Sequence, residues 1–485
     1  MATQNGNSNG THRSNGELKD TLVSGQTSQG VEIHANPVRL TRYAAVFEIY
    51  SPVLVLRVSE VISDFKVVLQ GRTLYSGRAV VRSLVNAGTG VVCEVALGET
   101  GWRDAGLTIN GQSNASVREA FETFIEDQQS VYKIKPEFKL AVADMQSFLS
   151  DLRGWCDQIE LNVRSQPAGE HDRHEREALE AMSEPVLTTL ANHFERFESI
   201  TTGIDPDLRP AHNRYAKRLL HPLVLCAPFM YRTFQKPLGY AGDYEMVNMM
   251  MRDRFQGSST FAKILNAFFL STPPVVAHRN RVEYMIGMWN REILRVQRAG
   301  RDPRIFNVGC GPAQEIQNFL SNLTYPVRAD ITLLDFNEET LQHVQGVLTD
   351  IKRRYAPQVS INYIKKSVHH LLKTAARSSE SSGKKYDLVY CAGLFDYLSN
   401  NVCRQLVAIM YEWLAPGGLL MVTNVDSNNP SQGWMEYVVD WHLFYRNTKE
   451  MRSLAPSQVS EEAIHILAEP TGLNTILELR KPENV

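Results

Sequence analysis

Gly309 and Gly311, with Cys310 between them, follow directly on residues 305–308, an apolar run broken only by Asn307. Two glycines at that spacing let the backbone turn sharply and approach a ligand that a Cβ would hold off. Downstream, residues 331–334 form a second apolar run, ending on Asp335 and followed by Phe336 and Asn337. An acid at the carboxyl end of the next strand is where a doubly wound sheet hydrogen-bonds a ribose diol. The loop alone leaves open a dinucleotide site or a plain strand-to-helix turn. The dinucleotide fingerprint wants a further glycine three residues after Gly311, and position 314 is Gln, which disfavours a pyrophosphate cradle.

A second group of candidates sits in residues 228–246, which mix aromatics, glycines and acids and fit neither helix nor strand period. Irregular loops on a rigid scaffold often carry function. The alternative is a packed turn with Tyr240 and Tyr244 buried. Tyr240 and Asp243 are the residues expected to act over cofactor or substrate, with Gly239 and Gly242 bending the loop. A third group follows Asn424. Residues 434–446 read as a helix with Tyr437, Trp441 and Phe444 on one stripe and His442, Tyr445 and Arg446 on another. A core stripe accounts for the aromatics but not for the polar face, where Arg446 is suited to bidentate pairing with a carboxylate.

The elements that must position these residues recur in a fixed order. A third strand, 360–364, leads into Lys365, Lys366, Ser367 and Val368, and a fourth, 386–391, ends in Cys391, Ala392 and Gly393. A helix then runs to Pro416-Gly417-Gly418, a turn before a fifth strand, 419–424. This order resembles the class I S-adenosylmethionine-dependent methyltransferases over residues 301–485. The resemblance implies an α/β, Rossmann-like domain with S-adenosylmethionine as cofactor. The loop of Gly309, Cys310 and Gly311 would face the amino-acid portion. Asp335 would take the ribose with Phe336 and Asn337 beside it, Ser367 and Val368 would line the adenine, and Cys391, Ala392 and Gly393 would close the floor. Asn307 departs from the family, which usually has an acid there, and so weakens one contact to the methionine part.

The 485 residues suffice for two or three domains with real cores. With 43% hydrophobic residues and no run long enough to span a bilayer, the chain reads as soluble, and without a visible secretory signal as cytoplasmic. A net charge of −2 provides no basic field to recruit nucleic acid. The six cysteines lack paired metal-ligand spacing and are expected to be reduced, Cys310 serving for its small size. His171 and His174 lie in a charged run read as a solvated face, so no metal site is expected.

Residues 1–33 are polar and nearly free of large apolar groups, so they are expected to be disordered. Residues 34–105 suggest a small antiparallel barrel, with strands at 44–49, 53–58, 65–69, 78–84 and 90–97 and turns at 63–64, 70–71 and 88–90. Arg39 and Arg42, followed by Arg57-Val58-Ser59-Glu60-Val61-Ile62, resemble a PilZ-type barrel. In that family an arginine-rich entry and an (Asp/Asn)-x-Ser-x-x-Gly segment hold cyclic di-GMP. Here Ser59 matches, but Arg57 replaces the acid or amide and Ile62 the glycine. The favoured reading is therefore a degenerate docking module, with anion binding at Arg39 and Arg42 still open. Residues 116–300 read as helical, with apolar periods at 117–132, 138–159, 178–197 and 282–296, and as a lid over substrate and cofactor.

The segments containing Tyr240 and Arg446 suggest a narrower resemblance over residues 130–485. They look like the bacterial methyltransferases that include the synthase of 3-hydroxypalmitic acid methyl ester, a quorum signal. That resemblance implies methyl esterification of a hydroxy fatty acid. Arg446 would orient the carboxylate, and His442 or Tyr445 would hydrogen-bond it. For a phenol or amine acceptor His442 would become a general base. A different class of function, a sensor that binds cofactor without turnover, and a methyltransferase for another small molecule or a protein side chain are the alternatives.

Overall fold

The computed structural model describes residues 21–49, 56–69, 72–86, 91–98, 101–102, 133–375 and 384–483. The expected helix at 117–132, the turns at 70–71 and 88–90, residues 53–55 and the first 20 residues lie outside them.

Seven antiparallel strands form the amino-terminal sheet: β1 (Thr21–Gln26), β2 (Glu32–Ala35), β3 (Pro37–Leu40), β4 (Ala44–Ile49), β5 (Val61–Leu69), β6 (Arg72–Asn86) and β7 (Val91–Leu97). Their order is β2-β1-β5-β6-β7-β4-β3. The edge strands β2 and β3 are separated in sequence by Asn36 alone, so the two ends of the sheet meet and the barrel nearly closes. Val23, Phe47, Phe65, Val67, Tyr75 and Val95 fill it. Strand β1 falls inside the stretch expected to be disordered. Pairing with β5 and full burial of Val23 order it despite its polar composition. The expected strand at 53–58 is absent at residues 56–58, which form a buried irregular segment. Ser63 and Asp64 do not end a strand either. They form a bulge within β5, where Asp64 takes φ of 47°.

Helices Pro136–Arg164, His171–Thr201, Arg209–Val224, Pro228–Gln235, Tyr244–Met251, Thr260–Phe269 and Pro273–Arg298 follow. Prolines at the first turns of several of these helices occupy positions where no amide is needed. Their apolar faces share one core with Trp434, Tyr437, Val438 and Val439 from the far end of the chain. Phe138 sits at its centre, 5.4 Å from Phe197, 4.8 Å from His212 and 6.1 Å from Tyr437 between ring centroids.

The carboxy-terminal sheet contains β8 (Arg304–Val308), β9 (Ala329–Asp335), β10 (Val359–Lys365), β11 (Tyr386–Cys391), β12 (Leu414–Val425), β13 (Ile464–Ala468) and β14 (Asn474–Arg480). The order is β10-β9-β8-β11-β12-β14-β13, parallel up to β12 and antiparallel beyond. Helices lie between successive strands, so the order reverses beside β8 and leaves a crevice at the carboxyl ends of β8 and β11. Pro416, Gly417 and Gly418 lie inside β12 as an irregularity in its pairing with β11, where a turn was expected. Glu292 fixes helix Pro273–Arg298 to the sheet through two 2.7 Å bonds from the Arg480 guanidinium.

Phe138→Ala should lower stability by about 3–5 kcal/mol, the range for a fully buried aromatic truncated without collapse. Urea denaturation of the full chain checks it.

Candidate functional site

The turn after β8 is built as its glycines require. Gly309 and Gly311 adopt φ of 72° and 51°, and Ala313 follows at 52° before helix Gln314–Ser321 begins. The Gly309 and Cys310 amides donate to Leu334 O at 2.8 and 3.1 Å, tying the turn to β9. Asp335, at the end of β9, is 5% exposed and accepts from Gly311 N at 3.2 Å and Asn337 N at 3.0 Å. Burial raises its pKa, opposed by those two amides and by Arg57.

These residues open onto a cavity of about 210 Å³ at the carboxyl edge of the sheet. Of the residues singled out in the sequence, Tyr240, Asn307, Gly309, Cys310, Gly311, Asp335, Phe336, Val368, Ala392 and Gly393 line it. Asn337, Ser367 and Cys391 stand behind the wall. Asn337 caps helix Glu338–Tyr355 by accepting from Thr340 N, Ser367 accepts from His370 N, and Cys391 is fully buried. The Tyr240 ring packs 5.1 Å from Phe336 between centroids, and burial pushes its hydroxyl pKa up.

Four expected acceptor residues take other roles. Asp243 is the N-cap of helix Tyr244–Met251, accepting from Met246 N and Arg232 Nε at 2.8 Å each. Residues 228–235 are helical as well, so the irregular loop is confined to residues 236–243. The helix expected at 434–446 stops at Tyr437, and Asp440 takes φ of 51°. From there the backbone bonds outward, with Phe444 N donating to Asp396 O at 2.7 Å and Arg446 N to Val425 O at 3.1 Å. The polar stripe therefore never forms. Arg446 is 1% exposed, and its guanidinium donates to Asn400 Oδ1, Phe395 O, Asn424 Oδ1 and Leu398 O at 2.5–2.8 Å. It is a tertiary clasp with no free face for a substrate. The His442 backbone exchanges hydrogen bonds with Ser59 Oγ, and burial together with Arg82 holds its imidazole down to about 3, so it stays neutral. Tyr445 is hydrogen-bonded by Asn429 at 3.5 Å and lies off the cavity wall.

Helix Pro273–Arg298 supplies what the sequence reading missed. His278 and Arg281 both line the cavity, and Arg281 is 7% exposed. Arg281 Nη2 donates to His278 Nδ1 at 2.8 Å and Nη1 to Asn474 Oδ1 at 3.3 Å. An arginine only donates, so His278 Nδ1 accepts and the imidazole proton sits on Nε2. His278 Nε2 and Arg281 Nε are buried without partners. Burial and the neighbouring Arg281 and Arg279 hold the His278 pKa far below its usual value. The guanidinium packs against Gly393, which takes φ of 89° and whose Cβ would lie 3.2 Å from Nη2, so a side chain there would be strained and would crowd the arginine. The signal was available: both residues sit one turn ahead of the apolar stripe through Val282, Met285 and Trp289, as polar intrusions on a buried face.

Asn307 and Glu315 form a second pair. Asn307 Nδ2 donates to Glu315 Oε1 at 3.2 Å, Tyr390 OH donates to the same oxygen at 2.7 Å, and Asn307 Oδ1 is buried and unpaired. The acid absent from position 307 is thus present two turns later in the chain, at the start of the next helix. Asp396 also lines the wall, accepting from Val425 N at 2.7 Å, with burial pushing its carboxyl up to about 6. The cavity can therefore offer an acceptor at Asn307, donors at Arg281 and His278, and a carboxylate at Asp335. Among the described residues no group of three or more His, Cys, Asp or Glu side chains is placed to hold a metal ion. None of the described helices is long and apolar enough to cross a membrane.

Residues 305–418 match the family model described as a methyltransferase domain. No curated protein matches the chain. Among solved structures, a possible exported protein from Bordetella parapertussis is 14% identical, with 62% of this chain and 97% of that chain covered and a TM-score of 0.38. Magnesium protoporphyrin IX methyltransferase from Synechocystis PCC 6803 with bound SAH is 11% identical, with 43% and 84% covered and a TM-score of 0.31. The S-adenosylmethionine-dependent methyltransferase SibL is 14% identical, with 56% and 77% covered and a TM-score of 0.30. Likenesses this distant carry no conclusion about activity. The domain match is narrower and firmer: residues 305–418, in the carboxy-terminal sheet, are a methyltransferase domain.

Arg446→Ala should destabilise the protein by about 2–4 kcal/mol, because it strands the acceptors on three fully buried residues, Phe395, Leu398 and Asn424. Thermal melts should show that loss, while the folded fraction keeps its affinity for S-adenosylhomocysteine. Loss of ligand affinity without loss of stability would instead put Arg446 in the site.

Proposed function

We propose that this methyltransferase esterifies the carboxylate of a small lipophilic acid, a 3-hydroxy fatty acid being the first acceptor to test. One observation carries the reading. His278, fixed as a neutral donor, faces a cavity whose far end is apolar. Phe194, Met230, Met250, Phe269 and Trp434 line that end, with Phe194 and Trp434 centroids 4.2 Å apart. A more open groove of about 1050 Å³ adjoins it, sharing Phe194, Thr272, Asn429 and Ser431, and provides a path for an alkyl chain.

Arg281 and Asn307 suit the two ends of an amino acid. The Arg281 guanidinium would donate to the cofactor's carboxylate, and Asn307 Oδ1, backed by Glu315, would accept from its ammonium. Asp335 would accept from the ribose hydroxyls, and Val368 would pack on the adenine side. When bound, S-adenosylmethionine supplies a sulfonium-activated methyl group, which an ionised carboxylate oxygen can accept with no proton to remove, S-adenosylhomocysteine being the leaving group. His278 has no lone pair left to act as a base. Its Nε2 hydrogen would hold the acceptor oxygen, and the aromatic wall would exclude water, so that rate comes from positioning.

Asp396 supports a second reading. A buried carboxyl held near 6, with one oxygen uncommitted to Val425, suits a base for a hydroxyl or amine acceptor. In that case activity rises with pH through about 6, as the carboxyl ionises, and Asp396→Asn abolishes it.

Methyl-labelled S-adenosylmethionine, incubated with the protein and a panel of free 3-hydroxy fatty acids, should place label in a base-labile methyl ester detected by mass spectrometry. The rate should stay flat from about pH 6 to 8, where a carboxylate is already ionised. His278→Ala should raise the acceptor KM about tenfold, the cost of one hydrogen bond, with a smaller loss of cofactor affinity through Arg281, which it helps to hold. Arg281→Ala should weaken S-adenosylhomocysteine binding about tenfold or more, as loss of a charged hydrogen bond does. Label in an ether or N-methyl product, or no transfer despite cofactor binding, would overturn the carboxylate assignment.

A further inference from the structure

The barrel sends a side chain into the methyltransferase cavity. Arg57 lies in the irregular segment before β5, is 4% exposed, and lines the cavity together with Gln29 from the β1–β2 turn. Its guanidinium carbon sits 4.4 Å from the Phe336 centroid and 5.0 Å from that of Tyr240, the two rings flanking Asp335. Nη2 donates to Ser28 Oγ at 2.8 Å. Nε is buried with no hydrogen-bond partner, and the nearest carboxylate oxygen, on Glu60, stands 3.8 Å away, too far for a hydrogen bond.

The segment is held in this position from several sides. Glu60 is fully buried and accepts from the Arg57 and Ser28 amides at 3.0 Å each. Ser59 takes φ of 61°, and its hydroxyl donates to His442 O at 2.8 Å and accepts from His442 N. Val61 N donates to Gly239 O at 2.7 Å, beside Tyr240. Arg57 is thus a fixed cation, with unused donors, facing a buried carboxylate.

We propose that Arg57 is a cofactor-binding residue, donating to the ribose oxygens whose hydrogens Asp335 accepts, so that the barrel completes the nucleoside end of the site. A ribose diol bound to Asp335 has spent its hydrogens and keeps its lone pairs. Those lone pairs need donors in a buried place, and the guanidinium supplies them. The same cation favours the ionised form of Asp335 against its burial. This inference rests on S-adenosylmethionine being the cofactor and extends that reading to a residue outside the methyltransferase domain.

Calorimetric titration of the full chain with S-adenosylhomocysteine, and with its analogue lacking both ribose hydroxyls, tests it. Arg57→Ala should bind S-adenosylhomocysteine about 10- to 100-fold more weakly, the size of a charged hydrogen bond. With the dideoxy analogue the wild-type and variant affinities should converge, which a purely structural role of Arg57 would not produce. Arg57→Lys, which keeps the charge and the Glu60 partner, should fall between them and carries the same comparison if the alanine variant fails to fold. Equal affinity of wild type and variant for S-adenosylhomocysteine overturns the proposal, as does a penalty undiminished by removing the hydroxyls. Absence of S-adenosylhomocysteine binding by the wild-type chain would instead overturn the cofactor assignment, and this inference with it.

Discussion

Burying a polar atom without a partner costs about 1–3 kcal/mol, so folded chains keep few of them. Here Asn307 Oδ1, Arg281 Nε, His278 Nε2 and Arg57 Nε are all buried and unpaired, and all four side chains line one cavity. They include both donors and an acceptor, which cannot satisfy one another where they stand. The surrounding contacts hold them apart: Glu315 fixes Asn307, Asn474 and His278 fix Arg281, and Ser28 fixes Arg57. A site organised in this way is preorganised for a polar ligand, because no protein bond has to break before the ligand's own groups are accepted.

Three parts of the chain build that one wall. The barrel contributes Gln29 and Arg57, the helical region Tyr240, His278 and Arg281, and the sheet its glycine turn and Asp335. Their seams carry charge as well as apolar contact. Asp440 is paired with Lys217 at 2.6 Å, and the cations around it drive its carboxyl well below the usual range. Burial holds Lys236 down to about 7, and its ammonium donates to Val439 O at 2.8 Å. Residues 438–442 run through this seam, where the Asp440 carboxylate and the His442 backbone join the parts. The His442 imidazole is buried and held neutral, and the Arg446 guanidinium is spent on Asn400, Asn424 and two backbone carbonyls within the carboxy-terminal domain, which leaves neither for chemistry.

What could be read from the sequence divides along the same physical line. Gly309, Gly311 and Asp335 were legible because a positive φ and a strand-end acid are local requirements, written into consecutive residues. Barrel strands such as β4 and β7 were legible through alternation, whereas β1 was not, since its order comes from β5 rather than from its own composition. The helical reading of 434–446 failed because periodicity cannot register one left-handed residue, Asp440, that turns the chain away. Arg446 looked like a substrate anchor because its true partners, at 395, 398, 400 and 424, are distant in sequence. His278 and Arg281 interrupt an apolar stripe and could have been noticed. Arg57 could not, because its role depends on how two parts of the chain dock.

Arg57 and Ile62 were read as losses from a nucleotide-binding segment. In the structure both positions are committed to other contacts. Ile62 is fully buried in the barrel, and a Cβ added at Gly25 would meet it at 2.6 Å, so the space a glycine would leave is filled by packing. Ser59 spends its hydroxyl on the His442 backbone. Arg57 points away from the barrel core, onto Phe336 and Tyr240. Each of the three residues faces the rest of the protein or the barrel's own core. The segment thus works as a joint, and the barrel's contribution to chemistry is made through the wall it shares with the cofactor cavity.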